Sequence, residues 1–345
     1  HTHTHTHTHC NTGAYKFLMS AKTKWGPTYR NSSRKIASVA EGLLGILFSD
    51  QIRFMTTSER KEIETVLDTL MIEQEKGGFK SYNLGKFTTH CTAMVLFTIK
   101  KYHDLGIYQL NQEHYESLQK MAFQLLSTGT PYGWGTYNEV VEDEGLIRLL
   151  STFWALRALN VWGFSGNEKY TGILSSLINC VPGGKFGFSL ETQPKSSTIA
   201  LFLILLKELE NEHTQGIIFQ KLSNKEVKQL LRFLVEDLHT SVETEEYRTD
   251  MHKDYEKLSW THLSFFLSIS ALSQYLNLLN PVLYMKMLIA VSSVLKTQFA
   301  KDGHYVNDKL NDTASDPLTF PTAYAIMGLS DLRRNLDQRC PAQHS

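Results

Sequence analysis

A unit that recurs six times along the chain most constrains the fold of this sequence. Its clearest copy, residues 131–160, joins a glycine–aromatic–glycine turn at 133–135 to a short polar loop and then to an apolar helix. Glycine adopts backbone angles that other residues avoid, so one helix can end and the next can begin beside it, while the aromatic side chain fills the junction. The sequence therefore predicts a succession of helix–turn–helix units.

The copies follow one another at intervals of about 50 to 65 residues, slightly longer than most helical repeats. Such an interval provides room for two helices and a long loop. The turn and second helix of successive copies begin at Trp25, Gly77, Pro131, Gly183, Asp250 and Asp302. The fifth copy lacks the glycine pair and is the least regular of the six.

Helices of two different kinds alternate within these units. Residues 59–74, 113–127 and 224–239 have apolar residues at three-to-four spacing on one face and charged residues on the other. Residues 151–159 and 197–206 are apolar nearly all round. The pattern predicts an all-α protein with an inner ring of apolar helices inside an outer amphipathic ring. A closed (α/α)6 toroid buries the inner helices, whereas an open solenoid leaves them half exposed.

Charge and composition exclude several classes of partner. The formal net charge is +0 and the sequence pI is about 7.4, so we expect no nucleic-acid partner and no general attraction to anionic membranes. No uninterrupted apolar run reaches the length of a membrane span. The cysteines Cys10, Cys91, Cys180 and Cys340 are far apart and form no CxxC pair, which indicates reduced thiols and a cytoplasmic protein.

The two ends of the chain differ from its body. Residues 1–10 are a His–Thr repeat that resembles a tag or low-complexity segment, and nothing near it supplies further ligands for a metal site. Residues 11–337 are expected to form a single toroid domain. The polar residues 338–345 are expected to be a flexible tail.

The helix that follows each turn carries a family resemblance. It contains a Ser/Thr- and Ala-rich segment at Ser38–Ala40, Cys91–Ala93 and Pro321–Tyr324. These segments and the repeated turn resemble the repeat of terpenoid cyclases and protein prenyltransferase β subunits, over the chain from Trp25 to Arg334. The resemblance implies a six-fold α/α toroid with a central cavity, but the fold alone does not specify an activity.

The catalytic signatures of the resembling families are missing from the sequence. Class II terpene cyclases carry Asp-x-Asp-Asp, and oxidosqualene cyclases carry Asp-Cys-Thr-Ala-Glu, where this chain has His90-Cys91-Thr92-Ala93-Met94. An imidazolium at His90 would repel a carbocation. The Asp-x-Cys zinc motif of prenyltransferases is absent as well. A zinc site of His90, Cys91 and Cys180 is conceivable, but cysteines in apolar helices are more typical of a core. We therefore predict no metal and no cofactor.

Acidic residues precede three of the inner helices and would gather at one rim of the ring. The weak catalytic candidates are Glu144, Asp254 and Asp316, together with His90. Paired carboxylates would suit glycoside cleavage. Acids before a helix also cap its N-terminus, a purely structural role that fits Asp316 before Pro317.

Aromatic residues of the turns and inner helices provide the remaining clue to function. The predicted cavity-lining residues are Tyr82, Trp134, Tyr137, Trp154, Phe188, Trp260, Tyr305 and Tyr324. An apolar, π-rich chamber suits an apolar small molecule, a peptide or a partner protein, although many turn aromatics would be packing wedges. The first hypothesis is therefore a binding or interaction module, and the alternatives are an atypical terpenoid cyclase and a carbohydrate-active toroid.

Overall fold

The computed structural model describes most of the chain. It covers residues 13–20, 35–72, 74, 78–79, 87–183, 186–187, 189–190, 194–211, 213–244, 261–298 and 319–339. The structural statements that follow concern these residues.

The described residues form helices joined by turns and loops. In chain order they are α1 (residues 13–20), α2 (Lys35–Phe48), α3 (Thr57–Ile72), α4 (Thr89–Asp104), α5 (Gln112–Ser127), α6 (Leu149–Val161), α7 (Glu168–Ile178), α8 (Ser196–Glu208), α9 (Gln215–Lys221), α10 (Asn224–Thr244), α11 (Thr261–Ser273), α12 (Pro281–Gln298) and α13 (Thr319–Arg339). Short 3-10 helices lie at Asp50–Phe54, Glu144–Leu146, Val181–Gly183 and Leu276–Leu278. Among the helices described, none is long and apolar enough to cross a bilayer.

Six apolar helices form a closed inner ring. Helix α2 packs against α4, α4 against α6, α6 against α8, α8 against α11, α11 against α13, and α13 returns to α2. The amphipathic helices lie outside this ring: α5 packs on α4 and α6, and α10 packs on α8 and α11. The predicted two-layered α/α toroid is therefore confirmed. In this order α6 lies opposite α13.

The repeated turn is held by a threonine in the first turn of the next inner helix. In the third unit Gly133 has φ +124, and a Cβ there would lie 2.4 Å from Thr152 Oγ1. The Trp134 backbone N–H donates to Thr152 Oγ1 at 3.0 Å. In the second unit the Phe79 N–H donates to Thr92 Oγ1 at 3.1 Å. The glycine therefore gives the threonine room, and the threonine satisfies the backbone of the turn.

Aromatic side chains also tie consecutive inner helices together. A hydroxyl or indole N–H near the end of one inner helix donates to a carbonyl of the preceding one. The three bonds are Tyr102 Oη to Leu43 O at 2.5 Å, Trp162 Nε1 to Leu96 O at 3.0 Å, and Tyr275 Oη to Leu203 O at 3.0 Å. Each bond satisfies the polar atom of a buried aromatic residue. The inner helices therefore bury these large apolar side chains without leaving a donor unpaired.

Glycines allow the closest approach between inner helices where the ring closes. We call α11, α13 and α2 the closing seam. A Cβ on Gly328 of α13 would lie 2.6 Å from the Phe266 carbonyl oxygen of α11. A Cβ on Gly45 of α2 would lie 2.9 Å from the Ala323 Cα of α13. Both positions thus require glycine, because real Cβ atoms do not approach backbone atoms so closely.

Candidate functional site

Six side chains of the inner helices are linked by ring contacts, an ion pair and an electrostatic interaction. We call Phe48, Phe97, Trp154, Arg157, Glu208 and Asp331 the axial cluster; they come from α2, α4, α6, α8 and α13. Ser270 adds α11, since its hydroxyl donates to Asp331. The cluster therefore links all six helices of the inner ring.

Aromatic rings form one wall of the axial cluster. The Phe48 and Phe97 rings stack with centroids 6.3 Å apart, and Phe97 meets Trp154 edge-on at 5.7 Å. Trp154 also stacks on the His90 imidazole, with centroids 5.9 Å apart and an interplanar angle of 18°. His90 lies in the first turn of α4, about 10 Å along the helix from Phe97. The wall thus extends from the N-terminal end of α4 toward its C-terminal half.

The Arg157 guanidinium covers two of these rings. Its Cζ lies 4.5 Å from the ring centroid of Phe97 and 4.5 Å from that of Trp154. Its Nε and Nη2 donate to the Glu208 carboxylate at 2.6 and 3.0 Å. Arg157 is only 5% exposed, so its charge depends on this pairing and on the two aromatic faces.

A carboxylate of the opposite helix lies within the electrostatic reach of Arg157. Burial raises the pKa of Asp331 above its ordinary value, against the opposing effects of Arg334, of the hydrogen bond from Ser270 and, more weakly, of Arg157. Because α6 and α13 are opposite in the ring, the influence of Arg157 on Asp331 acts across the ring axis. The axial cluster therefore lies toward the C-terminal ends of the inner helices and includes charged groups of two opposite helices.

Arginines and largely buried carboxyl groups lie close together at this end of the ring. Arg334 pairs with Asp331 and also lies 3.9 Å from Asp50, while Arg333 lies 3.8 Å from Asp50. Burial raises the pKa of Asp50 too, although Arg334 and Arg333 oppose it. Two carboxyl groups that hold their protons more tightly than usual thus share a small region with Arg157, Arg333 and Arg334.

The structure brings together some of the aromatic residues that the sequence singled out. His90 and Trp154 are in contact. The Tyr137 carbonyl accepts the Thr89 hydroxyl at 3.1 Å, so Tyr137, whose side chain is 42% exposed, lies beside the N-terminus of α4. Tyr324 is buried on α13. Tyr137 and His90 are thus near one another at the end of the ring opposite the Arg157 pair.

Other predicted residues occupy different environments. Trp134 is fully buried and donates its indole N–H to the Leu125 carbonyl of the outer helix α5 at 2.8 Å, as expected of a packing wedge. Glu144 is exposed in a 3-10 helix, and the neighbouring Asp143 carboxylate caps that helix by accepting the Gly145 N–H at 2.9 Å. Asp143 therefore has the helix-capping role that the sequence pattern indicated as the alternative to catalysis for these loop acids.

Several predicted residues fall where the structure gives no description. Tyr82, Phe188, Asp254, Trp260, Tyr305 and Asp316 lie outside the described residues. Cys91 and Cys180 are described, and neither is in a disulfide. Burial and the charge of Glu144 raise the pKa of the Cys180 thiol, so it is a poorer nucleophile than an ordinary cysteine. Within the described ranges, no three His, Cys, Asp or Glu side chains group as metal ligands.

Sequence reasoning missed the charged part of the axial cluster. Arg157, Glu208 and Asp331 were not among the candidates. Arg157 is the one charged residue of α6, and a lone charge in an otherwise apolar helix is a signal of a buried partner. Glu208 and Asp331 belong to helix ends that are rich in charged residues. There, no local feature of the sequence distinguishes a carboxylate with a buried partner from one exposed to solvent.

Comparisons with known proteins agree on the fold. No protein-family profile and no well-characterised protein sequence matches the chain. Solved structures do match: the type II terpene cyclase MstE from Scytonema, without ligand, superposes with a TM-score of 0.60 at 11% identity, covering 96% of this chain and 99% of that enzyme. A variant of MstE in complex with its substrate, geranylgeranyl dihydroxybenzoate, also gives 0.60, at 10% identity and 96% and 98% coverage. The chain therefore has the α/α-toroid fold of a terpenoid cyclase, as the repeat resemblance indicated.

Proposed function

We propose that this protein is a toroidal binding module that holds a neutral apolar small molecule against the aromatic wall of its ring, without carbocation chemistry. The observation that carries the proposal is the position of Arg157 over the faces of Phe97 and Trp154. Aromatic faces attract cations through their negative electrostatic potential. Here the protein's own guanidinium already occupies these two faces.

The charge balance near the wall supports the same proposal. Arg157 is paired with Glu208, and Arg334 is paired with Asp331 and lies 3.9 Å from Asp50. A carbocation against this wall would lie beside the buried Arg157 guanidinium, where repulsion between like charges is stronger than in water. The arrangement instead suits an uncharged ligand with a large apolar surface.

An isoprenoid is the class of ligand that best fits the fold and the wall together. MstE, which shares the toroid, is described in complex with geranylgeranyl dihydroxybenzoate and with merosterolic acid A. Beyond the rings that Arg157 covers, His90 stacks on Trp154 and lies in the first turn of α4, beside Tyr137, so the aromatic surface continues toward that end of the ring. We infer that a long apolar chain packs along this surface, with its burial as the main source of affinity.

The competing function is an atypical terpenoid cyclase, favoured by the likeness to MstE in fold. A matched pair of ligands separates the two functions. Geranylgeraniol is neutral, whereas geranylgeranylamine carries an ammonium that resembles a carbocation intermediate. A cyclase binds such a cation more tightly than the neutral chain, because an enzyme is complementary to its transition state. A neutral binding module whose aromatic wall already holds the Arg157 guanidinium binds it more weakly.

The experiment is displacement of the uncharged dye Nile red from the purified protein by each ligand. We expect geranylgeraniol to bind about tenfold more tightly than the amine, which corresponds to about 1.4 kcal/mol. The substitution Trp154→Phe should weaken the binding of geranylgeraniol severalfold, because it reduces the aromatic area of the wall. Phe219→Leu on the exposed surface of α9 is the control and should leave binding unchanged.

Two results would overturn the proposal. One is tighter binding of the amine than of the alcohol. The other is the appearance of cyclised products when the protein is incubated with a geranylgeranyl-bearing aromatic acid, followed by mass spectrometry. If wild type and Trp154→Phe bind geranylgeraniol with equal affinity, the protein binds the ligand but the aromatic wall does not contribute to that binding.

A further inference from the structure

A basic groove lies on the outside of the ring, away from the axial cluster. It has a volume of about 670 Å³ and lies between α10 and the turn that joins α11 to α12. Its walls include Lys225, Lys228 and Arg232 of α10, with Asn277, Leu279 and Leu283 opposite. This volume is within the range of small-molecule sites, about 300 to 1,000 Å³.

The three cations form a stripe on one face of α10. Positions 225, 228 and 232 are three and four residues apart, so the side chains are neighbours on the helix surface. All three residues are exposed, and within the described part of the chain none of them forms an ion pair. Like charges at such spacing destabilise a helix by about 0.2 to 0.5 kcal/mol per pair. The stripe thus has a cost that an anionic ligand would offset.

The acidic residues of α10 that are close to the stripe have other partners. The Glu226 carboxylate accepts the Ser223 backbone N–H at 3.0 Å, as part of the N-terminal cap of α10. Glu236, one turn beyond Arg232, pairs with Lys286 of α12 at 3.1 Å. None of the residues lining the groove is acidic. The positive charge of the groove therefore lacks a carboxylate of its own.

The N-terminus of α12 adds a further positive contribution. Asn280 and Leu283 both line the groove, and the Asn280 side chain accepts the Leu283 N–H at 2.9 Å, which places the first turn of α12 at the groove. The helix begins at Pro281 and runs for 18 residues. Its dipole places partial positive charge at this end, where anions are stabilised.

We propose that this groove binds a small molecule that carries two or more phosphate groups. The phosphates lie between the α10 cations and the N-terminus of α12, while an apolar or planar part of the ligand packs on Leu279 and Leu283. Arginine binds phosphate through two parallel hydrogen bonds, and lysine binds it as a point charge. This site goes beyond the proposed axial function and does not depend on it, since the axial cluster shares no residue with the groove.

Isothermal titration calorimetry with inorganic pyrophosphate tests the site, using the full chain at low ionic strength. We expect saturable binding at one site, weakened about tenfold by Arg232→Gln and severalfold by Lys228→Gln, since charge-assisted hydrogen bonds are lost. Raising the salt concentration should weaken binding further. Lys120→Gln, which removes an exposed cation of α5, is the control and should bind pyrophosphate as wild type does.

The same variants distinguish a soluble ligand from a lipid headgroup. A nucleoside diphosphate, with its planar group, should bind more tightly than pyrophosphate if the leucines contribute. Absence of pyrophosphate binding, or equal loss in Arg232→Gln and in Lys120→Gln, would refute the site. Binding to vesicles that contain an anionic phospholipid without binding to either soluble diphosphate would also refute it, and would assign the stripe to a membrane surface.

Discussion

The inner ring is packed in two different ways on its two sides. Between α4 and α6, bulky side chains fill the interface: Phe97, Trp154 and Trp162 are all buried there, and Arg157 covers two of the rings. At the closing seam, Gly328 and Gly45 bring helix backbones together instead. One interface is thus filled by large side chains, whereas the other depends on glycines that leave room for backbone contact.

This difference explains how a repeat can close into a ring. On the aromatic side, Arg157 contacts two rings and pairs with Glu208, and the spacing of the helices can change only if a large side chain is replaced. The seam joins the last helix to the first, so its backbone separation decides whether the ring closes. A protein core loses stability when a large residue is replaced by a smaller one and when a small residue is replaced by a larger one. We therefore expect the aromatic side to be sensitive to truncation and the seam to be sensitive to enlargement.

The largest effect is expected from Phe97→Ala on the aromatic side. Phe97 is fully buried between Phe48, Trp154 and the Arg157 guanidinium, so the substitution leaves a cavity and uncovers a buried charge. We expect a loss of about 3 to 5 kcal/mol in the free energy of unfolding. Urea denaturation followed by circular dichroism measures it.

Phe97→Leu is the companion variant, because it keeps most of the apolar volume. Its loss should be less than half that of Phe97→Ala. If both variants lose less than 1 kcal/mol, the aromatic side is not held by its large residues and the comparison between the two sides is wrong.

The seam should respond to the opposite change, Gly328→Ala. The added Cβ would lie 2.6 Å from the Phe266 carbonyl oxygen, a backbone atom that moves only if α11 and α13 separate. We expect a loss of about 1 to 3 kcal/mol. Gly172→Ala is the matched control, since no atom lies within 4 Å of its added Cβ on the outer helix α7. It should instead gain up to about 1 kcal/mol from helix propensity. Equal effects of the two substitutions would show that the seam is not close-packed.

Much of the fold follows from local features of the sequence. The apolar helices at 151–159 and 197–206 and the amphipathic ones at 113–127 and 224–239 lie in α6, α8, α5 and α10, on the expected sides of the ring. The spacing of apolar residues along a helix depends only on residues close together in the chain, so it can be recognised from the sequence without knowledge of the fold. The turn glycine is equally local, because the backbone angle of Gly133 is determined within its own loop.

The candidate site could be predicted only in part, for a physical reason. Trp154 was found because an aromatic residue in an inner helix is informative on its own, and His90 because it stands where the resembling cyclases have the aspartic acid of Asp-Cys-Thr-Ala-Glu. The partner of Arg157 is 51 residues away in the chain, at Glu208, and Asp331, a carboxyl group on which the charge of Arg157 acts, belongs to the opposite helix of the ring. Such contacts depend on ring closure, and the sequence contains no pattern that relates these positions. The basic stripe of α10 was also missed, because zero net charge conceals a local excess.

The smallest effect concerns the pH dependence of the seam. Burial raises the pKa of Asp331 above the ordinary value of 3.8, so between these two values the folded protein keeps a proton that the unfolded chain releases. Stability is therefore present at low pH and falls as the pH rises through the pKa of the folded state. Asp331→Asn cannot titrate, so this loss should be absent from it. Urea denaturation at pH 4 and pH 7 measures both slopes, and Asp104→Asn, an exposed carboxylate paired with Lys100, is the control that should keep the wild-type slope. If Asp331→Asn also keeps that slope, Asp331 is as well solvated as a surface carboxylate, and the seam has no buried acid to contrast with the aromatic side.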